Sequence, residues 1–206
     1  RVPRAALRAG AGLLLLTLVV LSNRDSRHYR IPELWASTLA KNPGCWLCEI
    51  NLGVYSLFDL GRVSESIQHT ERALALKPES TEAMVNLGLG ELFQGRLEEA
   101  IRCFDTVLAR PPDSARNESN AHAGLGNALV LRGEVERGIA QLEQAVRLAP
   151  RSTYARFSLG SALEHQGRME DAVVQYEQAV SLRPTWIPAR EALMRAQIRA
   201  EHRQAK

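Results

Sequence analysis

Aromatic residues and cysteines are scarce in this sequence. Only 5% of its 206 residues are aromatic and three are cysteine, too few for a disulfide framework to hold the fold together. The hydrophobic fraction of 45% and the charged fraction of 24% are ordinary for a globular protein and exclude a disordered tail. Ala, Leu, Glu, Gln and Arg dominate instead, and this composition favours helix.

The sequence beyond residue 30 also lacks a surplus of positive charge. The net charge of +3 comes from the first thirty residues, where six arginines are opposed only by Asp25. The remainder is faintly acidic, and its arginines alternate with glutamates as they do on solvated helix faces. We therefore expect no nucleic-acid partner.

Signatures of catalytic, metal and phosphate sites are missing as well. The five histidines are scattered, and none has a Cys, Asp or Glu partner at ligand spacing. No glycine-rich phosphate loop follows a predicted strand, because no strand is predicted. We expect no catalytic residue, no bound metal and no cofactor.

What the sequence does contain is an internal repeat. Three kinds of marker residue keep one rhythm, with successive spacings of 34, 38 and 34 residues. They are the prolines Pro78, Pro112, Pro150 and Pro184, the glycines Gly61, Gly95, Gly133 and Gly167, and the small residues Ser66, Ala100, Gly138 and Ala172. The four extra residues of the longer unit fall in a polar stretch, which we predict to be an inserted loop at 115–118.

Each unit has the apolar periodicity of two amphipathic helices. In residues 81–114 the turn between them falls at Gly95, and Pro112 follows the second helix. Gly88 and Ala100 are small where the two helices are expected to cross, and Phe104 is the bulky residue that fills the gap beside them. The units are therefore predicted to be helical hairpins.

This pattern resembles the tetratricopeptide repeat. The family's Leu-Gly pair stands at Leu52-Gly53, Leu87-Gly88, Leu125-Gly126 and Leu159-Gly160, and its aromatic position at Thr70, Phe104, Leu142 and Tyr176. The resemblance implies an all-α, right-handed superhelix (an α-solenoid) with nine or ten helices after residue 30 and no strand. The predicted parts are a half-repeat capping helix at 31–43, repeats at 44–78, 79–114, 119–152 and 153–186, and a C-terminal capping helix at 187–206.

Residues 1–30 are predicted to contain an apolar membrane helix and a polar juxtamembrane stretch. Residues 9–22 carry no charge, and counting from residue 5 brings the segment near the roughly 20 residues that a membrane span needs. A secretory signal peptide is the alternative, although no Ala-x-Ala cleavage site follows. We expect residues 5–22 to anchor the chain to the membrane.

The join between this segment and the repeats resembles a second group of proteins. The residues are the run 21–30, Leu34-Trp35 and the run 42–46, which are similar to the C-terminal region of multi-spanning membrane glycosyltransferases, related to O-mannosyltransferases, that end in tetratricopeptide repeats. The resemblance implies repeats outside the cytoplasm, on the periplasmic side of a bacterial inner membrane. It transfers no catalytic residue to this chain.

Three functions remain open from the sequence. The first is a membrane-tethered scaffold for protein–protein interaction that binds a protein or peptide in the concave groove of its repeats. The second is the non-catalytic, acceptor-binding C-terminal region of a membrane glycosyltransferase. The third is a secreted repeat protein with a signal peptide. None of them makes this chain an enzyme by itself.

Cys45 and Cys48 form a C-x-x-C motif at a predicted helix start, where the helix dipole lowers the pKa of a thiol. No thioredoxin-like strand pattern surrounds the motif, and Glu49 in place of a histidine excludes attachment of c-type haem. Packing at the first positions of a repeat explains both residues. We therefore favour structural cysteines over a redox-active or disulfide-bonded pair.

The resemblance implies that the first helix of each repeat lines the concave groove. The register of the Leu-Gly pairs then selects the groove residues Asn51, Val54, Phe58, Asn86, Leu89, Phe93, Asn127, Tyr154 and Phe157. Lys and Arg are absent from these positions, so we expect no clamp for a terminal carboxylate. Repeats one and two are predicted to expose an apolar stripe that docks an apolar surface.

The groove positions also resemble part of an asparagine ladder. In a sugar-transferring relative such a ladder holds the backbone of an extended peptide, and Asn51 and Asn86 match its first two positions. Gly124 and Ser158 interrupt it in repeats three and four. The resemblance therefore implies a partial ladder.

Overall fold

The computed structural model describes residues 32–58 and 60–204. This part of the chain forms ten helices and no strand, which confirms the predicted all-helical architecture. In chain order the helices are α1 (Pro32–Lys41), α2 (Trp46–Phe58), α3 (Val63–Leu76), α4 (Thr81–Phe93), α5 (Leu97–Leu108), α6 (Ala115–Arg132), α7 (Val135–Leu148), α8 (Thr153–Gln166), α9 (Met169–Leu182) and α10 (Ile187–Gln204).

The helices pack as four consecutive hairpins with a single helix at each end. The hairpins are α2–α3, α4–α5, α6–α7 and α8–α9, and each packs against the next. Gly133 and Gly167 end α6 and α8 with φ angles of 97° and 86°. This left-handed backbone strains residues that carry a Cβ, and it accounts for the recurrence of glycine at these two turns.

The two helices of a hairpin approach most closely at a glycine. A Cβ added to Gly88 of α4 would lie 2.7 Å from Cε1 of Phe104 on α5. Ala100 and Phe104 are both fully buried at this crossing, as the sequence predicted. The Phe104 ring also reaches the next repeat, because a Cβ added to Gly124 of α6 would lie 2.3 Å from Phe104 Cζ.

The buried apolar side chains form two clusters along the stack. One joins repeats one and two to the start of repeat three, and the other joins repeat three to repeat four and α10. Tyr154 packs against both clusters. Each repeat therefore completes its core with residues of its neighbour, so the stability of one repeat depends on the next.

The four extra residues of repeat three are helical, which corrects the loop predicted at 115–118. Helix α6 begins at Ala115, and the Oγ of Ser114 accepts a hydrogen bond of 3.1 Å from the backbone amide of Asn117. Asn117 in turn donates through Nδ2 to Oγ1 of Thr81 on α4, at 3.1 Å. The insertion adds a helical turn that is fixed to the preceding repeat.

The capping residues explain why the helix extends. Seven positions before the Leu of the Leu-Gly pair, repeats two and four have Ser80 and Ser152, which cap α4 and α8. Repeat three has Glu118 at that position, and glutamate is not a favoured N-cap residue. The helix therefore continues for one further turn to the preceding serine.

Helix α10 begins at Ile187, as predicted, and is held to repeat four by a buried carboxylate. Glu164 of α8 accepts hydrogen bonds from the Tyr176 hydroxyl at 2.9 Å, from Arg195 Nε at 3.1 Å and from Arg199 Nη1 at 2.7 Å. Burial, reinforced by the Glu164 charge, raises the pKa of Tyr176 far above its usual range. The hydroxyl therefore stays protonated and donates, so Glu164 links two helices to α8.

Cys45 and Cys48 are joined by a disulfide bond at the start of α2. This corrects the interpretation that favoured packing cysteines over a bonded pair. Spacing alone did not separate the two, because residues three apart at a helix start can be close enough to bond. Cys103, on α5, is free.

The described helices include none that is both long and apolar enough to cross a membrane. The membrane helix predicted at residues 5–22, and the polar stretch that follows it to residue 30, lie outside the described residues.

Candidate functional site

The first helices of the repeats form the inner face of the stack. Helices α2, α4, α6 and α8 contact one another in succession, whereas the second helices of successive repeats make at most marginal contact in the described part of the chain. Since the first helices lie closer together than the second, the stack curves with α2, α4, α6 and α8 on its inner side. A ligand in the groove would meet these four helices.

In repeats one and two, three of the five predicted groove residues whose side chains are described are buried, and the other two are half-buried. Val54 and Leu89 are 4% and 7% exposed and belong to the core, so the predicted exposed apolar stripe is wrong at these positions. The contact between neighbouring first helices covers them. Phe93 is half-buried and packs on the same core. Asn51 is buried and donates to the Leu47 carbonyl within its own helix, at 2.8 Å.

Asn86 is the ladder position that remains available. Its side chain is half-buried, and its Nδ2 has no hydrogen-bond partner among the described residues although that atom is shielded from solvent. A buried amide without a partner costs free energy. Phe58 ends α2, and its side chain lies outside the described residues.

Repeat four places its predicted residues differently. Phe157 is 2% exposed, and its ring centroid lies 5.3 Å from that of Tyr176 and 4.9 Å from that of Trp186. It therefore fills the core between α8, α9 and the start of α10, and its assignment to the groove is wrong.

Asn127 and Tyr154 are brought together across the junction of repeats three and four. Asn127 Nδ2 donates to the Tyr154 hydroxyl at 2.7 Å and to Ser158 Oγ at 3.1 Å. Burial raises the pKa of Tyr154 to about 12, against the opposing effect of these hydrogen bonds. The phenol is neutral at physiological pH, so the trio is an uncharged hydrogen-bonding group that links α6 to α8.

A cavity of about 540 Å³ opens beside Tyr154. Its walls are the first turn of α6, the loop from α7 to α8 and the first turn of α8, together with Arg183 at the end of α9. The extra turn of α6 supplies Ala115 and Arg116 to the wall. The insertion that distinguishes repeat three therefore helps to build this cavity.

The cavity is cationic. Arg116, Arg151 and Arg183 line it and no Asp or Glu does. Two helices also begin at its wall, and the N-terminal end of a helix attracts negative charge. Glu82 on α4 interacts with the charge of Arg116, and its pKa is raised chiefly by burial.

Hydrogen-bonding groups accompany the charge. Asn120, Thr153 and Tyr154 line the same cavity with side chains that are only partly buried. Arginine forks match the geometry of carboxylates, and partly exposed amide and hydroxyl groups pair with a peptide backbone. The cavity therefore combines positive charge with donors and acceptors of hydrogen bonds.

Sequence analysis missed these arginines for a structural reason. The groove register was taken from the Leu-Gly pairs within the first helices, so Arg116 fell in the supposed loop, and Arg151 and Arg183 fell between helices. Ser114 is a favoured N-cap residue, and its side chain accepts a hydrogen bond from the Asn117 amide. Recognising this cap in the sequence would have placed Arg116 in the first turn of α6. Within the described residues there is no group of three or more His, Cys, Asp or Glu that could hold a metal ion.

Comparison with known proteins agrees with the repeat architecture. The family model for the tetratricopeptide repeat matches residues 52–115, 86–136 and 123–185, which together span well over half of the chain. No protein with a curated description matches it.

Solved structures give the same fold. TTC0263, a thermophilic tetratricopeptide repeat protein of Thermus thermophilus, is 25% identical with a TM-score of 0.66, over 75% of this chain and 82% of that chain. YrrB, described as having an unusual peptide-binding site, is 20% identical with a TM-score of 0.53, over 84% and 86%. MamA of Desulfovibrio magneticus RS-1 is 21% identical with a TM-score of 0.57, over 78% and 88%. The chain belongs to the tetratricopeptide repeat family.

Proposed function

We propose that this protein is an interaction scaffold that binds an acidic, extended segment of another protein along the inner face of repeats two to four. The observation that carries the proposal is the cavity lined by Arg116, Arg151 and Arg183, with no Asp or Glu in its wall. Protein–protein interaction is the general role that the repeat fold supports, and the cavity narrows the chemistry of the partner.

The positive charge of the cavity favours an anionic partner over an apolar one. Most apolar side chains on the first helices of repeats one and two are buried in the core between repeats. They therefore leave little exposed surface for an apolar ligand. Arg116 and Arg151 are exposed and make no ion pair within the described residues. Both side chains are therefore accessible to Asp or Glu side chains of a partner, although Glu82 also interacts with the charge of Arg116.

The polar groups along the inner face supply contacts to a peptide backbone. Asn86 offers a shielded amide that lacks a partner among the described residues, and Asn120 and Tyr154 follow at the cavity. A row of this kind suits an extended chain, whose carbonyl and amide groups are unpaired. The peptide-binding site named for YrrB shows that a protein of this fold can bind a peptide, which supports the proposal by analogy.

Hydrogen–deuterium exchange of the full chain tests this proposal with a short synthetic peptide rich in Asp and Glu. We expect protection at residues 115–120 and 149–154, because a bound peptide would cover the first turns of α6 and α8. A peptide with Asp and Glu replaced by Asn and Gln is the control and should protect these residues much less. Protection confined to α3, α5 and α7, on the outer face, would refute the groove as the binding surface.

We also propose that the repeats lie outside the cytoplasm and are tethered to a membrane through residues 5–22. The Cys45–Cys48 disulfide supports an oxidising compartment, and the uncharged run at 9–22 supports the tether. The sequence resemblance of residues 21–46 supports the further proposal that the repeats hold an acceptor segment for a membrane glycosyltransferase. These proposals concern the location of the scaffold and the enzyme that it would assist.

The tether has a direct test. Alkaline carbonate extraction of membranes from expressing cells should leave the full chain in the pellet, because a lipid-embedded helix resists extraction whereas a peripheral protein does not. A chain that begins at residue 23 is the matched control and should be released. Release of the full chain, or an N-terminus found near Asn23, would contradict the tether and favour a cleaved signal peptide.

A further inference from the structure

The cysteine pair occupies positions at which the other repeats have no cysteine. Counted from the Leu-Gly pair, Cys45 occupies the place of the N-cap residues Ser80 and Ser152. Its Sγ accepts a hydrogen bond of 3.2 Å from the backbone amide of Cys48, as each serine Oγ accepts one of 3.2 Å from the residue three positions on. Serine therefore meets the capping requirement as well as cysteine does.

Cys48 has the same relation to alanine. It occupies the place of Ala83 and Ala155, and all three side chains are 0% exposed. Since Ser-x-x-Ala fulfils the role in α4 and α8, helix capping and packing do not account for Cys-x-x-Cys in α2. The disulfide adds a property that the other repeats lack.

The two sulfurs differ in access. Cys45 is half-buried and follows the exposed residues 40–44, whereas Cys48 is enclosed in the core. A thiol of another protein can therefore reach Cys45 but not Cys48. Cys45 is therefore suited to form a disulfide with a substrate, and Cys48 is suited to be the leaving thiolate.

The surroundings of Cys45 favour its thiolate. The Cys48 amide points at its sulfur, and the start of α2 places the positive end of the helix dipole there. Lys77 lies with Nζ 4.0 Å from the ring centroid of Trp46, the residue next to Cys45. A stabilised thiolate favours the reduced form of a dithiol and makes its disulfide a better oxidant.

We propose that the Cys45–Cys48 disulfide is a thiol–disulfide exchange site that oxidises pairs of cysteine thiols in a protein substrate. This activity lies outside the peptide groove and does not depend on it. Cys45 is the sulfur that forms the mixed disulfide, and Cys48 is the resolving cysteine.

The exchange proceeds in two steps. A substrate thiolate attacks Cys45 Sγ, so a substrate–Cys45 bond forms, the Cys45–Cys48 bond breaks, and Cys48 leaves as a thiolate that takes up a proton. A second substrate thiolate then attacks the first substrate sulfur and releases Cys45 as a thiolate. The substrate loses two electrons and two protons as its disulfide forms, and the pair gains them as two thiols.

The test uses the oxidised full chain and a synthetic peptide with two reduced cysteines. Mass spectrometry should show the peptide losing two hydrogens, while Cys45 and Cys48 should each take up an alkyl group when the acid-quenched protein is denatured and alkylated. A Cys45→Ser, Cys48→Ala variant restores the Ser-x-x-Ala of repeats two and four, so it should fold with an unchanged helical signal and leave the peptide reduced. Equal peptide oxidation by this variant, or a wild-type disulfide that persists in excess peptide thiol, would overturn the proposal.

A trapping experiment assigns the roles of the two sulfurs. In Cys48→Ala, the Cys45 thiolate should attack a peptide whose single cysteine is activated as a 2-pyridyl disulfide, so that a lasting Cys45–peptide disulfide forms and pyridine-2-thione leaves. The same thiol should react with iodoacetamide roughly tenfold faster than Cys103. Cys103 is an internal control, since burial raises the pKa of its thiol to about 11. An adduct found on Cys103 instead of Cys45 would overturn the assignment.

Discussion

Gly124→Asn is expected to destabilise the protein by about 3 kcal/mol, although it would restore an asparagine ladder position. A Cβ at residue 124 would lie 2.3 Å from Cζ, 2.5 Å from Cε1 and 2.8 Å from Cε2 of Phe104. The Phe104 ring is fully buried and contacts two repeats, so it has little room to move. The substitution therefore forces the α4–α5 hairpin away from α6. Chemical unfolding followed by circular dichroism measures the loss.

A glycine at an open site is the control for this substitution. A Cβ at Gly44 meets nothing closer than Asn42 Oδ1 at 3.5 Å, so Gly44→Asn should change stability by less than about 1 kcal/mol. Combining Phe104→Leu with Gly124→Ser copies the Leu142 and Ser158 pair of the following junction. We expect this double variant to be less destabilised than the sum of its two single variants. Wild-type stability of Gly124→Asn, or purely additive effects in the double variant, would contradict the contact.

This contact explains why the asparagine ladder is interrupted. Gly124, the residue before the Leu-Gly pair of repeat three, faces Phe104 at the aromatic position of repeat two. In the same register, Asn86 of repeat two corresponds to Thr70 of repeat one. Thr70 is smaller than Phe104, and Asn86 is larger than Gly124. The ladder residue is therefore set by packing between repeats as well as by binding.

The sequence was sufficient to predict the helical hairpins and their register. The spacing of the Leu-Gly pairs and prolines determines which residues share a helix face, and the small–large pair Gly88 and Phe104 lies at the crossing as expected. These features are local, because they depend on one hairpin and its turn.

The predicted site was less accurate because it depends on contacts between hairpins. Helical periodicity places Val54 and Leu89 on the inner side of α2 and α4, but it does not tell how closely those helices approach. The direct contact of the first helices buries both side chains. The cationic cavity required knowledge of where α6 begins, which the four-residue insertion obscured.

Reversing two arginine charges is expected to weaken binding of an acidic peptide by about 100-fold. Arg116 and Arg151 lie on opposite walls of the cavity, on the first turn of α6 and in the loop before α8. Each charge reversal replaces an attraction with a repulsion, and at a partly exposed site this difference is about 1–2 kcal/mol, or roughly tenfold in affinity. Both side chains are exposed, so the fold should be preserved.

Arg72→Glu is the matched control. Arg72 is exposed on α3, a second helix, and makes no ion pair within the described residues. Its reversal changes the net charge of the protein as much as either single reversal in the cavity. Any effect of overall charge should therefore appear in this variant too, and salt should weaken wild-type binding because the contacts are exposed.

Binding of an acidic segment at the cavity can be measured by titrating a fluorescently labelled acidic peptide with the wild-type chain, Arg72→Glu and the double variant Arg116→Glu, Arg151→Glu. Fluorescence anisotropy gives the three dissociation constants, and thermal melts verify that all three proteins are folded. We predict that wild type and Arg72→Glu agree within about threefold and that the double variant binds about 100-fold more weakly. Equal affinity for the double variant and the wild type would contradict an acidic segment bound at the cavity.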